Sequence, residues 1–302
     1  MELSELEKEI NVQSTSGPES NLQTKYSPEE HWITLDGARM RYLYSGSGPA
    51  LLLVHGLLGY SFSWRFAMPV LARQATVYAV DMLGAGFSDR PARLDCSLRA
   101  SAERLLRFLD AVGVGSCDLL GDSQGGAVVM MAAALAPGRT RRLILVAPVN
   151  PWSAHGRWRA RFLSSRMIAP LFLRLAPYFK VAHGFFLRRL FGDTRRIRSG
   201  TLEGYSAPFS IPGAFEHKLA LLRSWNQDLQ ELESVLPRIA HIPTLLIWGS
   251  MDAAVSPESA ARLRQEFKDC RLVMFDGVGH LPFEEMPEEF GRAVAEFLAR
   301  TG

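Results

Sequence analysis

Apolar positions along the chain fall into two alternating patterns. Short unbroken runs, ALLLVHG (50–56), TVYAVDM (76–82), CDLLGDS (117–123), RLILVAP (142–148), TLLIWGS (244–250) and RLVMFDG (271–277), have the length and composition of strands buried on both faces. Ahead of them, HWITLDGARMRYLYSG (31–46) alternates apolar and polar residues about Asp36-Gly37, the signature of a hairpin. Between the runs lie helical periods such as SLRASAERLLRFLDAVG (97–113), where Leu98, Leu105, Leu109 and Val112 share one stripe. The alternation predicts an α/β fold: a mostly parallel eight-stranded sheet with helices on both faces, whose functional residues sit at the C-terminal ends of strands.

One stretch breaks the rhythm. From about residue 150 to 237 the pattern is helical without strands, and the β/α alternation resumes at HIPTLLIWGSMD. An inserted helical cap over 151–237 is therefore expected on a core formed by 26–150 and 238–302. Residues 1–25, rich in Ser, Asn, Gln and Glu, read as a polar arm outside the core. The first half of the cap interleaves Arg157, Arg159, Arg161, Arg166, Arg174, Arg188, Arg189, Arg195, Arg196 and Arg198 with Phe162, Phe172, Phe179, Phe185, Phe186 and Phe191. Two readings are open: an aromatic stripe that roofs the active site beneath a solvated basic face, or a surface making weak contact with anionic lipid. The lid is the favoured one, with Phe185 and Phe186 facing the substrate.

Composition narrows the class. A chain of 302 residues with net charge +3 can bury a large core and carries too little charge to imply a nucleic-acid partner. Cys96, Cys117 and Cys270 are too few and scattered for a disulfide framework or a metal site. The N-terminus has no signal-peptide pattern, and no apolar run reaches membrane-spanning length, so a cytoplasmic protein without metal or cofactor is expected.

The chemistry centres on Gly121-Asp122-Ser123-Gln124-Gly125, where a buried strand runs directly into an Ala-rich helix. A strand–turn–helix carrying G-x-S-x-G is the setting of a nucleophile elbow, whose sharp turn leaves no room for side chains at Gly121 and Gly125. The competing reading is a serine capping an ordinary helix. A serine nucleophile needs a base, and the base needs an orienting group. His280, in the loop after the last buried strand, is the expected base; His31, His155, His183, His217 and His241 read as surface or packing residues. Asp252, at the end of the preceding strand, is preferred as the orienting acid over Asp276, Glu284 and Glu285. A histidine base predicts a kcat/KM limb near about pH 6 to 7.

Taken together, HGLLGYSFSW, DMLGAGFSDRP, GDSQGG, WGSMDAAVSP and GHLPFEEMP resemble the cap-bearing branch of the α/β-hydrolase superfamily, from about Trp32 to the C-terminus. GDSQGG alone is also similar to the nucleophile loop of trypsin-like proteases, but those run histidine, aspartate, serine, whereas Ser123, Asp252, His280 is the hydrolase order. The resemblance implies that the backbone N–H groups of Leu57 and Gln124 form an oxyanion hole and that His55 shapes its loop. It also implies that dehalogenases and epoxide hydrolases carry aspartate where Ser123 stands. Carbon–carbon bond hydrolases typically have tryptophan after the catalytic histidine; here Leu281 follows. Asp122 occupies a position often held by histidine or asparagine and has no assigned role. The expected activity is cleavage of an apolar carboxylic ester through an acyl-enzyme. Carbon–carbon bond hydrolysis, cofactor-free perhydrolysis and pure ligand binding on a hydrolase fold are the alternatives.

Overall fold

The computed structural model describes residues 27–153, 162, 165, 167–175 and 179–300; the N-terminal arm, His155, Arg157, Arg159, Arg161 and Arg166 lie outside the described residues. Eight strands form one sheet: β1 Glu29–Leu35, β2 Ala38–Ser45, β3 Ala50–Val54, β4 Thr76–Val80, β5 Cys117–Asp122, β6 Thr140–Val146, β7 Thr244–Gly249 and β8 Cys270–Phe275. Their order is β1-β2-β4-β3-β5-β6-β7-β8, antiparallel across the first two pairings and parallel across the rest. Asp36 and Gly37, both at positive φ (53° and 78°), close the β1–β2 hairpin with the twist that suits it.

The longer helices are α1 Leu98–Ala111, α2 Gln124–Leu135, α3 Ile168–Leu175, α4 Phe179–Arg188, α5 Ala214–Val235, α6 Glu258–Arg264 and α7 Pro287–Arg300. Because side chains alternate along a strand, each central strand feeds two cores. Leu52, Val54, Leu143, Leu145, Leu246 and Trp248 pack with α1, α2 and α6 on one side of the sheet. Leu51, Leu53, Ile144, Val146, Leu245 and Ile247 pack with α7 on the other. The stripe predicted for α1 is buried at Leu98, Leu105 and Leu109, and Ser97 caps its first turn by accepting from the Ala100 N–H.

Between β6 and β7 the described residues hold helices and no strand. Helix α5 crosses back over α1 and α2, setting its first half above the C-terminal edge of the sheet. Among the described residues, no helix is long and apolar enough to cross a membrane. Cys96, Cys117 and Cys270 are free thiols.

Candidate active site

Strand β5 ends at Asp122 and helix α2 begins at Gln124, leaving Ser123 alone to turn the chain at φ 52°, ψ −119°. Such a conformation costs a non-glycine residue on the order of 1–3 kcal/mol, so it persists only where its surroundings enforce it. They do: the Ser123 N–H donates to the Val146 carbonyl, and its own carbonyl accepts from Gly126 and Val149. The two glycines are sterically required. A Cβ on Gly121 would stand 2.5 Å from the Gly125 carbonyl oxygen, and one on Gly125 would stand 2.3 Å from that of Val54. Ser123 makes no side-chain capping hydrogen bond, so its hydroxyl is not spent on the helix it precedes.

At the neighbouring strand ends, His280 Nδ1 lies 2.7 Å from Asp252 Oδ2, with both side chains buried. The other Asp252 oxygen accepts from the Ala254 and Val255 N–H groups at 2.8 and 3.0 Å, which fixes the carboxylate's orientation. With Nδ1–H held by the carboxylate, Nε2 is the ring nitrogen left for proton exchange. Ser123, His280 and Asp122 line one cavity.

The rival acids are engaged elsewhere. Asp276 is exposed and meets Ser250 Oγ. Glu284 binds Arg65 and the Tyr205 hydroxyl. Glu285 accepts from the N–H groups of Gly192, Asp193 and Gly279, fastening the loop that carries His280 to the helical segment. The His280 N–H reinforces that joint by donating to the Leu190 carbonyl at 2.7 Å. Nothing in the sequence around Glu284 and Glu285 announces this joint.

Among the other histidines, His55 uses both ring nitrogens: Nδ1 meets the Gly56 carbonyl and Nε2 accepts from the Met82 N–H. Burial first, and then the Lys218 charge, outweigh the Gly56 bond and push its pKa down to about 4, so it is a neutral loop-holding group. His217 packs between the Gly213 and Pro91 carbonyls. His31 lies beside Glu29 at the sheet edge, and His241 is exposed.

The cavity beside Ser123 measures about 160 Å³ and is lined mainly by apolar groups, including Leu57, Leu58, Leu187, Leu190 and Leu281. Phe185 and Phe186, expected to face it, do not: they are 60 % and 52 % exposed. Successive helical residues point about 100° apart, and on α4 the inward direction belongs to Leu187, which is 1 % exposed. The run FFL announces an apolar helix but not which of its three residues turns inward. Leu57 borders the cavity, and Gln124, as the first residue of α2, offers an N–H that no helical carbonyl can reach.

Two titrations are coupled here. Burial disfavours a charged His280, but the adjacent Asp252 carboxylate, its hydrogen bond and Asp122 outweigh that and push the pKa up to about 9. Burial also raises Asp122, to about 7; Asp252 and Glu284 act in the same direction, against His280 and the Gly56 N–H. Asp122 Oδ1 has no hydrogen-bond partner among the described residues. Among the described residues, no cluster of His, Cys, Asp or Glu is arranged to hold a metal ion.

A family model of the alpha/beta hydrolase fold matches residues 49–287. An uncharacterised protein of Mycobacterium tuberculosis is 29 % identical over 283 residues, covering 91 % of this chain and 82 % of its own. A 2-hydroxymuconate semialdehyde hydrolase of Pseudomonas sp. (strain CF600) is 27 % identical over 285 residues, covering 88 % and 93 %. Among solved structures, a putative lipase of Acinetobacter baumannii superposes with a TM-score of 0.78 at 23 % identity, covering 98 % of both chains.

Proposed function

The chain belongs to the alpha/beta hydrolase family, and within it we propose that this protein is a serine hydrolase of carboxylic esters, with Ser123 as nucleophile, His280 as base and Asp252 as the group that orients the base. The observation that carries the reading is the strained Ser123 elbow opening on the same cavity as an imidazole whose far nitrogen is held at 2.7 Å by a buried carboxylate. Ser123 Oγ attacks the ester carbonyl and gives its proton to His280 Nε2. The oxyanion is held by the N–H groups of Leu57 and Gln124, the latter at the positive end of α2. Collapse expels the alcohol, which takes the proton from His280. Water then repeats the sequence on the acyl-enzyme and releases the acid.

Cavity size sets the acyl group. A dry apolar cavity of about 150 Å³ holds a benzene molecule, so the 160 Å³ here suits a group of about six heavy atoms. Among p-nitrophenyl esters, kcat/KM is expected to peak between acetate and hexanoate and to fall by decanoate. A rate that climbs steadily to long chains contradicts this size limit. The similarity to a 2-hydroxymuconate semialdehyde hydrolase supports a second reading, carbon–carbon bond hydrolysis. Turnover of a dienone faster than of every ester in the panel selects that reading over ours.

The acidity of the site revises the expected pH limb. His280 accepts a proton from Ser123 only when neutral, and its raised pKa postpones that state to higher pH. The kcat/KM limb is therefore expected above the ordinary histidine value of about 6.5, rather than between pH 6 and 7. Asp122→Asn removes one of the negative groups that favour the imidazolium and should return the limb toward lower pH. A wild-type limb at or below 6.5, or one unmoved by Asp122→Asn, refutes this assignment.

The outward aromatic residues support the lipid-facing reading of the cap. Phe162, Met167, Leu171, Leu175, Phe185 and Phe186 are all exposed, with Arg174, Arg188 and Arg189 exposed among them. Apolar groups beside basic ones suit an anionic bilayer surface. Co-sedimentation with phosphatidylglycerol vesicles, weakened by salt and by Phe185→Ser/Phe186→Ser, is the expected result; equal recovery with and without vesicles rejects it.

A further inference from the structure

A second cavity, of about 30 Å³, is bordered by the Leu57 loop, by Gln124 and Val128 of α2, by α1 and α5 and by the segment 82–85, so it adjoins both oxyanion donors of the esterase reading. Its volume is room for about two waters or one small ion. Two cationic side chains line it, Arg104 from α1 and Lys218 from α5. Arg104 is only 6 % exposed; its Nη2 donates to the Asp95 carbonyl and to Ser101 Oγ, while its Nε–H is buried with no acceptor among the described residues. The Lys218 ammonium donates to the Leu57 carbonyl.

No carboxylate within ion-pair distance compensates either charge among the described residues. Asp95, the carboxylate that acts on Arg104 most directly, accepts from the Ser97 N–H, and Asp36, farther off, pairs with Arg107. Among the described residues, the charge that acts on Lys218 most strongly is the cation Arg90. The Cys96 thiol, which also lines the cavity, is acted on by Arg104, Asp95 and Lys218, in that order. Burial, followed by the Arg90 charge, lowers the Lys218 pKa to about 7, the behaviour of an ammonium that lacks a counter-charge. Arg104 is buried and Lys218 half-buried; buried charges are normally paired, and an orphaned buried donor is costly.

We propose that this cavity is a binding site for a small monoanion, of chloride to formate size, held between the Arg104 Nε–H and the Lys218 ammonium. The anion supplies the missing counter-charge and the missing acceptor. It also keeps Lys218 protonated, and so keeps the Leu57 carbonyl tied to α5. Because the adjacent Leu57 N–H is the oxyanion donor in the esterase reading, occupancy would be coupled to turnover. That coupling rests on the esterase reading; binding itself does not.

The test uses the full chain in sodium gluconate, an anion too large for the cavity, with chloride or formate exchanged in at constant ionic strength. Ligand that binds only the folded state raises Tm, so a saturable rise of about 3 °C or more is expected in wild type. The rise should vanish in Lys218→Met, which removes one charge and keeps the side chain's apolar length. In a short-chain ester assay, kcat/KM should climb several-fold over the same anion range in wild type alone. Equal Tm in chloride, formate and gluconate overturns the proposal, as does an undiminished rise in Lys218→Met. If Lys218→Met fails to fold, the size dependence in wild type decides. A saturable Tm response without ester turnover supports the anion site and counts against the esterase reading.

Discussion

Ser123→Ala is expected to reduce turnover of a short-chain ester by a factor on the order of 10⁵ to 10⁶, because nucleophile, base and orienting group act as a unit. The remaining activity would come from the oxyanion donors and from binding alone. Stability should hardly change. The side chain makes no capping bond, and alanine must adopt the same φ of 52° that the surrounding backbone bonds already impose on serine. The decisive comparison is therefore kcat/KM measured beside Tm. A variant that keeps more than a tenth of wild-type activity removes Ser123 from the reaction.

Asp252→Asn should cost on the order of 10⁴ in kcat, the scale seen when a triad aspartate becomes an amide. The reason is tautomeric. The carboxylate only accepts, so it holds the proton on His280 Nδ1 and leaves Nε2 as the acceptor for the serine proton. An amide can donate to Nδ1 instead, which places the ring proton on Nε2, where it faces the serine. The amide oxygen can still accept from Ala254 and Val255, so the local turn should survive. Asp276→Asn is the control: this carboxylate is exposed and accepts from Ser250 Oγ, and its loss should leave kcat within about threefold. A mild Asp252→Asn with a severe Asp276→Asn would mean that the acid is misassigned.

Much of this site is written in local signals. Strands β3 to β7 are legible because burial on both faces turns them into unbroken apolar runs, and β7 is buried at every position. The elbow is legible because a clash between backbone atoms forces glycine at two fixed offsets from Ser123. His280 and Asp252 follow from their places after the last two strands. What escaped is what depends on tertiary direction. Lys218 sits in AFEHKLALLRSW like any polar residue of an amphipathic helix, and only the approach of α5 to the Leu57 loop turns its ammonium inward. Phe185 and Phe186 drew attention by size, yet the helix phase gives the inner face to Leu187. Asp122 has no role that its place in the sequence assigns. Its effect on His280 arises from the shared burial of two groups far apart in sequence.

The central claim, that Ser123 is a nucleophile activated by His280, is tested most directly by a fluorophosphonate followed by peptide mass spectrometry. A single stoichiometric adduct is expected on the peptide containing Ser123, formed quickly by wild type, more slowly by at least about a hundredfold in His280→Ala, and not at all in Ser123→Ala. An unlabelled wild-type protein that remains folded, or an adduct on any other residue, would contradict it.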